Sequence, residues 1–576
     1  MVKIKVHAYD IVTKDDAINR EGEEHTELQL WCFNQVSEPC LLRIRNFPIF
    51  CKVELPTMVD NFGNLKEWDQ FSGKDIFNDI CRVLEDKEKN PPVDWRFVKY
   101  TRLYYFSNKK YPYMLLTFNT LNDMKAASGI CKRLFSKKHG KLNLVFRETF
   151  IETYNKMFSL RNLGPTEKFE CDVEEIQPED EERISKPGPP TRPFKEYEAN
   201  WKSMKPLPEE ESWFTSPVIV SWDIETYSHR HRAFPQKHCF EDRICSISAT
   251  FQVYMKPETR KNYVIVIGYT FPVKDCIIIQ AKDEYEVIEK FFDLVEEHDP
   301  DVFIGYNIFG FDYDYVDARL KDVGKDWRNI GRLKETGCSM KCLSWNSDAY
   351  GYNKLNIFDA PGRISVDLLP YIKRDYKLAM YNLNAVGKHF LGETKVDLKA
   401  HEMFQIHLEM TQMIEYIQKT TGIEDEKEAF TKLKQMAKDK EFPAKELKQM
   451  IGVIRGNTLM CEYNMQDSVL VLRLFEKLNV WISLIELSSI VRVTPMEFFT
   501  RGQQVRCIAQ LYHAASHRDI VLTQRDNDFI FFNGGKVEQP KVGFWELVIC
   551  FDFNSLYPSI MIAYNICFTT LLRTLE

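Results

Sequence analysis

The stretch PVIVSWDIETY (residues 217–227) decides the fold expected for the middle of this 576-residue chain. It has the composition of a buried strand, and it ends in two carboxylates, Asp223 and Glu225. Because side chains two positions apart on a strand project from the same face, both carboxylates are predicted to point the same way. Strand-like runs such as CIIIQA (276–281) and DVFIGYN (301–307) alternate with helical stretches after it. This alternation predicts α/β layers around a mixed sheet.

Two further positions carry acids at the ends of predicted elements. Asp312 follows the apolar strand VFIGYN at the turn into a helix, and Tyr463 and Asp467 lie one helical turn apart in EYNMQD. Four converging acids would repel one another, and two divalent cations with a preference for oxygen ligands, Mg²⁺ or Mn²⁺, would relieve that repulsion. Two such metals can support the in-line cleavage of a phosphodiester, with a nearby tyrosine orienting the attacking water. Each acid alone is more typical of a helix cap or a surface charge, so the prediction rests on the combination.

Three patterns, DIET (223–226), NIFGFD (307–312) and YNMQD (463–467), occur in the order of the motifs of a DEDD-type proofreading exonuclease, which they resemble. The tyrosine resembles the variant of that superfamily found in family B DNA polymerases. The stretch from Ile364 to Leu398 resembles the delta-like members of that family, from eukaryotes or large DNA viruses. The resemblance implies a 3′→5′ exonuclease domain with an RNase H-like fold.

The resemblance also implies roles for the site residues, with two Mg²⁺ ions per active site that Mn²⁺ can replace. Asp223 would bridge both metals, and Glu225 and Asp467 would complete one metal site. Asp312 would support the other metal, and Tyr463 would hold the nucleophilic water.

Two further residues, Asn307 and Asp367, have different predicted roles. Asn307, from the second motif, is a predicted DNA contact by resemblance. Asp367 lies in an apolar strand, which favours a structural role, and it is left out of the predicted site.

The C-terminal part of the sequence resembles the entrance to a polymerase palm. TRGQQVRCIAQL (500–511) and FFNGGKVEQP (531–540) are similar to segments that lead into the palm of family B enzymes. The second segment implies template contacts at Phe532, which stands where the family has tyrosine, and at Gly534 and Gly535.

FDFNSLYPSI, which begins at Phe551, resembles polymerase motif A. By that resemblance Asp552 binds the catalytic metals, with the carbonyl of Phe553 as a further ligand. Tyr557 would stack under the sugar and exclude a 2′-hydroxyl. The residues implied in binding the deoxynucleoside triphosphate are Ser555, Leu556 and Tyr557.

The later polymerase motifs, a lysine-bearing fingers helix and the pattern DTD, do not occur in the sequence. We therefore expect the N-terminal portion of a polymerase, ending just after motif A. The alternatives expected from this resemblance are a fragment of a longer open reading frame, a naturally split polymerase completed by a second polypeptide, and a truncated product. A second polypeptide or a missing C-terminal half would carry the fingers, the thumb and the rest of the palm.

The predicted organisation is a multidomain α/β and α+β protein. In the N-terminal region a single helix is expected at 123–136, and the charged stretch 419–450 is expected to be a solvated helical excursion. The predicted domains are an N-terminal α+β domain (1–200) with an acidic, proline-rich linker at about 173–200, the exonuclease domain (201–485), a segment that returns to the N-terminal domain and leads into the palm (486–540), and an incomplete start of the palm (541–576).

The predicted function is a family B DNA-directed DNA polymerase with a proofreading exonuclease, acting in DNA replication. This chain alone is not expected to extend a primer. One alternative is a non-catalytic DNA-binding scaffold subunit derived from a polymerase. A free-standing repair nuclease is a further alternative, and it leaves motif A unexplained.

Composition limits the location and the partners. The net charge of −7 excludes a general basic field for nucleic acid, and the lysine-rich patches at 107–113 and 131–141 are more typical of solvated faces. The fifteen cysteines form no paired zinc knuckles, which favours reduced thiols. No apolar run reaches the about 18 residues of a membrane span, so we expect a soluble, intracellular protein in the nucleus or at a viral replication site. The expected partners are primer–template DNA and deoxynucleoside triphosphates, with a sliding clamp as a further candidate and no membrane.

Overall fold

The structure is a computed structural model of mixed α/β, multidomain architecture. No helix among the described residues is long and apolar enough to cross a membrane. Most of the predicted linker (177–193) and Phe532 lie outside the described residues. The structure describes residues 2–18, 22, 24–56, 58–59, 65–103, 109–176, 194–230, 233–333, 336–347, 351–393, 398–439, 442–523, 534–567 and 570.

The described N-terminal residues form the strands β1–β14 and three α-helices. The strands are β1 (Val2–Ile18), β2 (Glu24–Phe33), β3 (Pro39–Ile44), β4 (Ile49–Glu54), β5 (Met58–Val59), β6 (Leu65–Lys66), β7 (Asp94–Arg102), β8 (Tyr111–Phe118), β9 (Arg133–Ser136), β10 (Gly140–Asn143), β11 (Val145–Arg147), β12 (Lys168–Glu175), β13 (Lys195–Ala199) and β14 (Lys205–Pro206). The helices are α1 (Gln70–Glu85), α2 (Leu121–Ile130) and α3 (Thr153–Arg161).

These strands build a closed barrel and a separate open sheet. The barrel runs β1–β2–β3–β13–β12 and closes because β12 also pairs with β1. The open sheet has the order β11–β4–β8–β7, and α1 and α2 pack against it. The prediction of a single helix at 123–136 is therefore incomplete, because the described part of this region contains three helices. Helix α2 ends at Ile130, and Arg133–Ser136 alternates exposed and buried residues as a strand that pairs with β10.

The central region contains the sheet that positions the candidate site. The strands of the central region are β15 (Val218–Thr226), β16 (Ile244–Val253), β17 (Lys256–Ile267), β18 (Ile277–Ala281), β19 (Val302–Gly305), β20 (Ser339–Ser347), β21 (Gly351–Asp359) and β22 (Ile364–Asp367). Its helices are α4 (Glu284–His298), α5 (Asp312–Asp322), α6 (Leu368–Asp375), α7 (Leu383–Leu391), α8 (Ala400–Thr421), α9 (Glu426–Lys438) and α10 (Ala444–Lys477).

The central sheet has the order β18–β17–β16–β15–β19–β22. Strands β15, β16 and β17 form an antiparallel meander, and β19 and β22 continue the sheet parallel to β15. This arrangement is RNase H-like. Trp222 of β15 is buried and stacks on Phe291 of α4 at 5.1 Å between ring centroids, which anchors the central strand in the core.

The charged stretch 419–450 is packed more closely than expected. Helix α9 lies against α8 and buries Ala429 and Leu433. Phe430 stacks on Tyr269 with ring centroids 4.0 Å apart. The apolar stripe of α9 is therefore covered by the central domain, while its described charged side chains, Glu428, Lys432, Lys434 and Lys438, remain exposed.

After the central domain the chain continues as α11 (Val480–Val491), α12 (Pro495–Thr500), α13 (Gln503–Ser516), β23 (Ile520–Val521) and α14 (Leu556–Tyr564). Strand β23 pairs in parallel with β7, so the chain returns to the N-terminal sheet. In contrast, every residue of the segment 534–567, which includes α14, is exposed.

Candidate active site

The end of β15 carries the first two acids of the site. Asp223 and Glu225 lie two positions apart on the strand, while Ile224 between them points into the core. Asp467 approaches them from α10, and carboxylate oxygens of the three residues lie within 4.8 Å of one another. The structure thus brings together three of the four predicted exonuclease acids across 244 positions of sequence, from Asp223 to Asp467.

Polar contacts between α10 and β16 set the position of Asp467. The Asn464 side chain donates a hydrogen bond of 2.6 Å to the Ser246 hydroxyl, and the hydroxyls of Ser468 and Thr250 lie 2.9 Å apart. Because residues 464 and 468 flank Asp467, these bonds fix its turn of the helix against the sheet. Tyr463 lies one turn earlier on the same helix and is 8% exposed.

Asp312 is the first residue of α5 and lies against the backbone of β15. Its carboxylate accepts a hydrogen bond of 3.1 Å from the N–H of Ile224, which is between Asp223 and Glu225. The side chain is 2% exposed, and burial, with a smaller effect of Asp367, raises its pKa to about 7. Among the described residues, Asp312 lies next to the group of three close acids rather than within it.

The turn before α5 is held by the acid that was left out of the predicted site. Asp367 accepts hydrogen bonds from the backbone N–H groups of Asn307, Phe309 and Leu369, at 2.7, 3.0 and 2.9 Å. It also caps α6 and is 1% exposed, so its role is structural, as expected. Asn307 is exposed and has a positive φ of 68°.

An open cleft of about 570 Å³ lies beside Glu225. Several residues that line the cleft were not predicted from the sequence. The stretch AFP (233–235), which follows the DIET motif, is the sequence feature that could have indicated them. They include Phe234, Phe311, His401 and Phe404. The rings of Phe234 and Phe311 meet edge to face at 5.3 Å. The cleft therefore offers an aromatic wall next to the acids.

The residues predicted from motif A lie apart from this arrangement. Asp552 and Phe553 are exposed and precede α14, and neither belongs to the clusters of metal-ligating side chains among the described residues. Ser555, with a positive φ of 53°, and Leu556 form the start of α14, and Tyr557 is 75% exposed. Gly534 and Gly535 are exposed as well.

The donor set at the sheet edge fits divalent metal ions. It offers carboxylate oxygens from Asp223, Glu225 and Asp467, with Asp312 beside them, and no nitrogen or sulfur ligand belongs to the described cluster. Hard cations such as Mg²⁺ and Mn²⁺ prefer such oxygen ligands. The fold and the site thus define an RNase H-like domain with an acidic site suited to metal-dependent phosphodiester chemistry.

Comparisons with known proteins agree with this class. A model of the family B DNA polymerase exonuclease domain matches residues 145–386, and a model of DNA polymerase family B matches residues 493–576. Together they cover more than half of the chain, and it belongs to family B of the DNA polymerases. The first match includes Asp223, Glu225 and Asp312 and ends before Tyr463, so the contribution of α10 rests on the geometry.

Similar proteins include viral and eukaryotic polymerases. DNA polymerase 120R of Invertebrate iridescent virus 3 is 27% identical over 96% of this chain and 46% of its own length. The DNA polymerase delta catalytic subunit of Candida albicans is 30% identical over 65% of this chain and 31% of its own length. The chain thus spans about half the length, or less, of these curated relatives.

A solved structure shows the same fold. The family B DNA polymerase from the hyperthermophilic archaeon Pyrobaculum calidifontis superposes with a TM-score of 0.58 at 18% identity. The match covers 98% of this chain and 57% of the archaeal chain.

Proposed function

We propose that this chain is the proofreading portion of a replicative family B DNA polymerase and removes mispaired nucleotides from a primer 3′ end. The observation that carries the proposal is the convergence of Asp223, Glu225 and Asp467, with Asp312 beside them, in a family B exonuclease domain. Exonuclease and polymerase domains of this family use divalent metals.

The four acids would bind the metal ions, and the tyrosine would orient the water. Asp223 would contact both metals, Glu225 and Asp467 would complete one metal site, and Asp312 would support the other. Two bound Mg²⁺ ions, replaceable by Mn²⁺, would activate water and stabilise the leaving oxyanion of an in-line cleavage. Tyr463, held on α10 one turn before Asp467, would orient the attacking water.

Burial of Asp312 supports a metal-binding role. Taking its carboxyl group out of water disfavours the charged form, and the raised pKa reflects that cost. A cation beside the charged form would compensate for the lost hydration. The same side chain would then be held by the Ile224 N–H and by the metal.

The cleft supports an extended single strand as the substrate. Its aromatic residues Phe234, Phe311 and Phe404 lie next to Glu225, where unpaired bases could stack. Asn307, exposed at the turn before α5, would be a DNA contact. A frayed primer end would therefore enter past aromatic side chains before reaching the acids.

The polymerase site would be shared with residues beyond this sequence. Asp552 and the Phe553 carbonyl would bind the metals of nucleotide addition, while Ser555, Leu556 and Tyr557 would contact the incoming deoxynucleoside triphosphate. The template contacts proposed by resemblance are Phe532, Gly534 and Gly535. A second polypeptide or a C-terminal portion would supply the fingers, the thumb and the rest of the palm.

The proposal also includes the domain boundaries, the site of action and one further partner. The domains would be 1–200, 201–485, 486–540 and 541–576, and the pairing of β23 with β7 supports a third segment that returns to the N-terminal sheet. The site of action would be a nucleus or a viral replication site. A sliding clamp would be a further partner.

The test is degradation of a 3′-mismatched primer on a template by the purified 1–576 chain with Mg²⁺. Stepwise 3′→5′ shortening is expected, with no extension when deoxynucleotides are added. Asp312→Ala and Asp223→Ala should each reduce cleavage by about 10³-fold, since each loss removes several kcal/mol of transition-state stabilisation.

Asp293→Ala is the matched control, because Asp293 lies on α4 and forms an exposed ion pair with Arg328. It should cleave like the wild type. Circular dichroism and DNA binding should be nearly unchanged in all variants. Undiminished cleavage by either active-site variant would rule out the assignment, and folded wild-type chain that binds DNA without cleaving it would favour the scaffold alternative.

A further inference from the structure

A second group of metal-ligating side chains lies beyond the end of β15, outside the acidic site. His229 follows the strand, and Cys239, Glu241 and Asp242 lie at the end of the connection to β16. Ligand atoms of His229, Cys239 and Asp242 are all within 4.8 Å of one another. Unlike the acidic site, this group combines an imidazole nitrogen, a thiol sulfur and carboxylate oxygens.

The cysteine–histidine distance within the group matches that of a tetrahedral zinc site, and the histidine–aspartate distance is shorter. The Cys239 Sγ lies 3.6 Å from His229 Nδ1 and 3.2 Å from Glu241 Oε2, and His229 Nδ1 lies 2.7 Å from Asp242 Oδ1. Standard zinc–ligand lengths at tetrahedral angles place donor atoms about 3.4–3.6 Å apart. The histidine–aspartate pair would open by about 0.7 Å to admit the ion.

The rest of the protein holds this group in place. The Asp242 side chain is fully buried and accepts hydrogen bonds from the backbone N–H groups of His229 and Gln236, at 3.0 and 2.7 Å. Arg319 of α5 donates a 2.8 Å bond to the backbone carbonyl of Cys239 and pairs with Glu284 at the start of α4. Ligands held by both a buried carboxylate and a helix lose little entropy when an ion binds.

We propose that His229, Cys239 and Asp242 form a binding site for one Zn²⁺ ion, separate from the acidic exonuclease site. Thiolate and imidazole ligands favour Zn²⁺ over Mg²⁺, whereas the all-oxygen acidic site favours the harder ion. The two sites therefore differ in the metal that they select.

The zinc ion would stabilise one wall of the cleft. Phe234 and Pro235, which line the cleft beside Glu225, belong to the same connection as Cys239 and Asp242. An ion bound to His229 and Cys239 would help to fix Phe234 and Pro235, which lie between these ligands in the sequence, relative to β15. The proposal concerns metal binding and stands whether or not the chain degrades DNA.

Cobalt substitution tests the site by spectroscopy. Co²⁺ added to the metal-free 1–576 chain should produce a thiolate-to-cobalt charge-transfer band that Zn²⁺ abolishes. Cys239→Ser should remove the band and His229→Ala should weaken it. His238→Ala and Cys342→Ser are the matched controls and should retain it, because His238 pairs with Asp322 and Cys342 is exposed on β20. Co²⁺ at the acidic site contributes no such band, since its ligands are oxygens.

Alkylation of the wild-type protein gives a second measurement that needs no variant. Zn²⁺ should slow iodoacetamide labelling of Cys239 about tenfold or more, leave labelling of Cys342 unchanged, and lose its effect when EDTA is added. Absence of the charge-transfer band, its persistence in Cys239→Ser, or equal labelling of Cys239 with and without Zn²⁺ would each overturn the proposal.

Discussion

Asp312 combines two properties that conflict in the absence of metal. Its carboxyl group is needed as an anion if it binds a cation, yet it is buried against the backbone of Ile224. The protein tolerates this because the group can take up a proton near neutral pH, as its raised pKa of about 7 indicates. Proton and metal are therefore expected to compete for this side chain.

This competition predicts the pH dependence of stability of the metal-free protein. The pKa of Asp312 is about 7 when folded and near 3.8 when unfolded, so between these values the folded state holds a proton that the unfolded state lacks. The free energy of unfolding should consequently fall as pH rises through this window, by at most about 1.4 kcal/mol per pH unit from this group. Asp312→Asn should flatten the decline.

Thermal melting in EDTA from about pH 5 to pH 7 measures the effect. The wild-type midpoint should decline more steeply than that of Asp312→Asn. A residual slope is expected in the variant, because burial also raises the pKa of Asp367 to about 6. Asp293→Asn, at an exposed position, should follow the wild type. Equal slopes for wild type and Asp312→Asn would contradict the prediction.

At the scale of single elements, Asp367 connects the end of β22 with two other elements. It caps α6 through Leu369 and holds the turn that contains Asn307 and Phe309. One side chain thereby fixes the start of α6 and the approach to α5. Since charged acceptors contribute about 1.5–3 kcal/mol per hydrogen bond, its loss should loosen both places.

Asp367→Ala is expected to accelerate amide exchange at Asn307, Phe309 and Leu369 by at least about tenfold, corresponding to about 1.4 kcal/mol of local opening free energy. Hydrogen exchange with mass spectrometry on peptides covering β19 to α6 measures this. Asp375→Ala, at the exposed C-terminal end of α6, should leave the turn unchanged. Identical amide exchange rates in Asp367→Ala and wild type would show that the three hydrogen bonds of Asp367 contribute little to the local stability of the turn and of the start of α6.

Helix α1 shows why element prediction in the N-terminal region was incomplete. Its buried residues Ile76, Ile80 and Leu84 recur at intervals of four, and Asp69 and Ser72 form a capping box. Both features are visible in the sequence and predict this helix. In contrast, the strand at Arg133–Ser136 is stabilised by its pairing with β10, which local propensity does not reveal.

In the molecule as a whole, most described residues up to β23 belong to packed elements, whereas those of 534–567 are exposed. The N–H of Leu522 donates a 3.1 Å bond to the buried carboxylate of Glu148, which also pairs with Lys52. These contacts tie the chain after α13 to the N-terminal sheet. The segment 534–567 has exposed apolar side chains throughout, including Phe551 and Phe553.

Limited chymotrypsin digestion of the 1–576 chain should therefore cut first within 534–567. The exposed aromatic residues there are Phe544, Trp545, Phe551, Phe553, Tyr557 and Tyr564. Mass spectrometry should identify a persistent N-terminal product. Its melting temperature, measured separately, should match that of the intact chain, because no residue of the segment 534–567 is buried. First cuts within β15 or α10, before any in this segment, would contradict this description.

Local sequence patterns are enough to predict the order of the candidate site residues, the same-face placement of Asp223 and Glu225, and the helical spacing of Tyr463 and Asp467. These depend on local periodicity, which a strand or a helix imposes on neighbouring residues. The family resemblance followed from the same motifs and was confirmed by the family matches.

The contacts between groups far apart in sequence depend on how whole elements pack. The approach of Asp467 to β15 depends on α10 packing across β16, and Asp312 reaches Ile224 because β19 lies beside β15. The meeting of His229 with Cys239 likewise depends on how the connection between β15 and β16 folds back. Contacts of this kind follow from the free energy of packing whole elements together, to which residues far apart in sequence contribute jointly, so no local pattern encodes them.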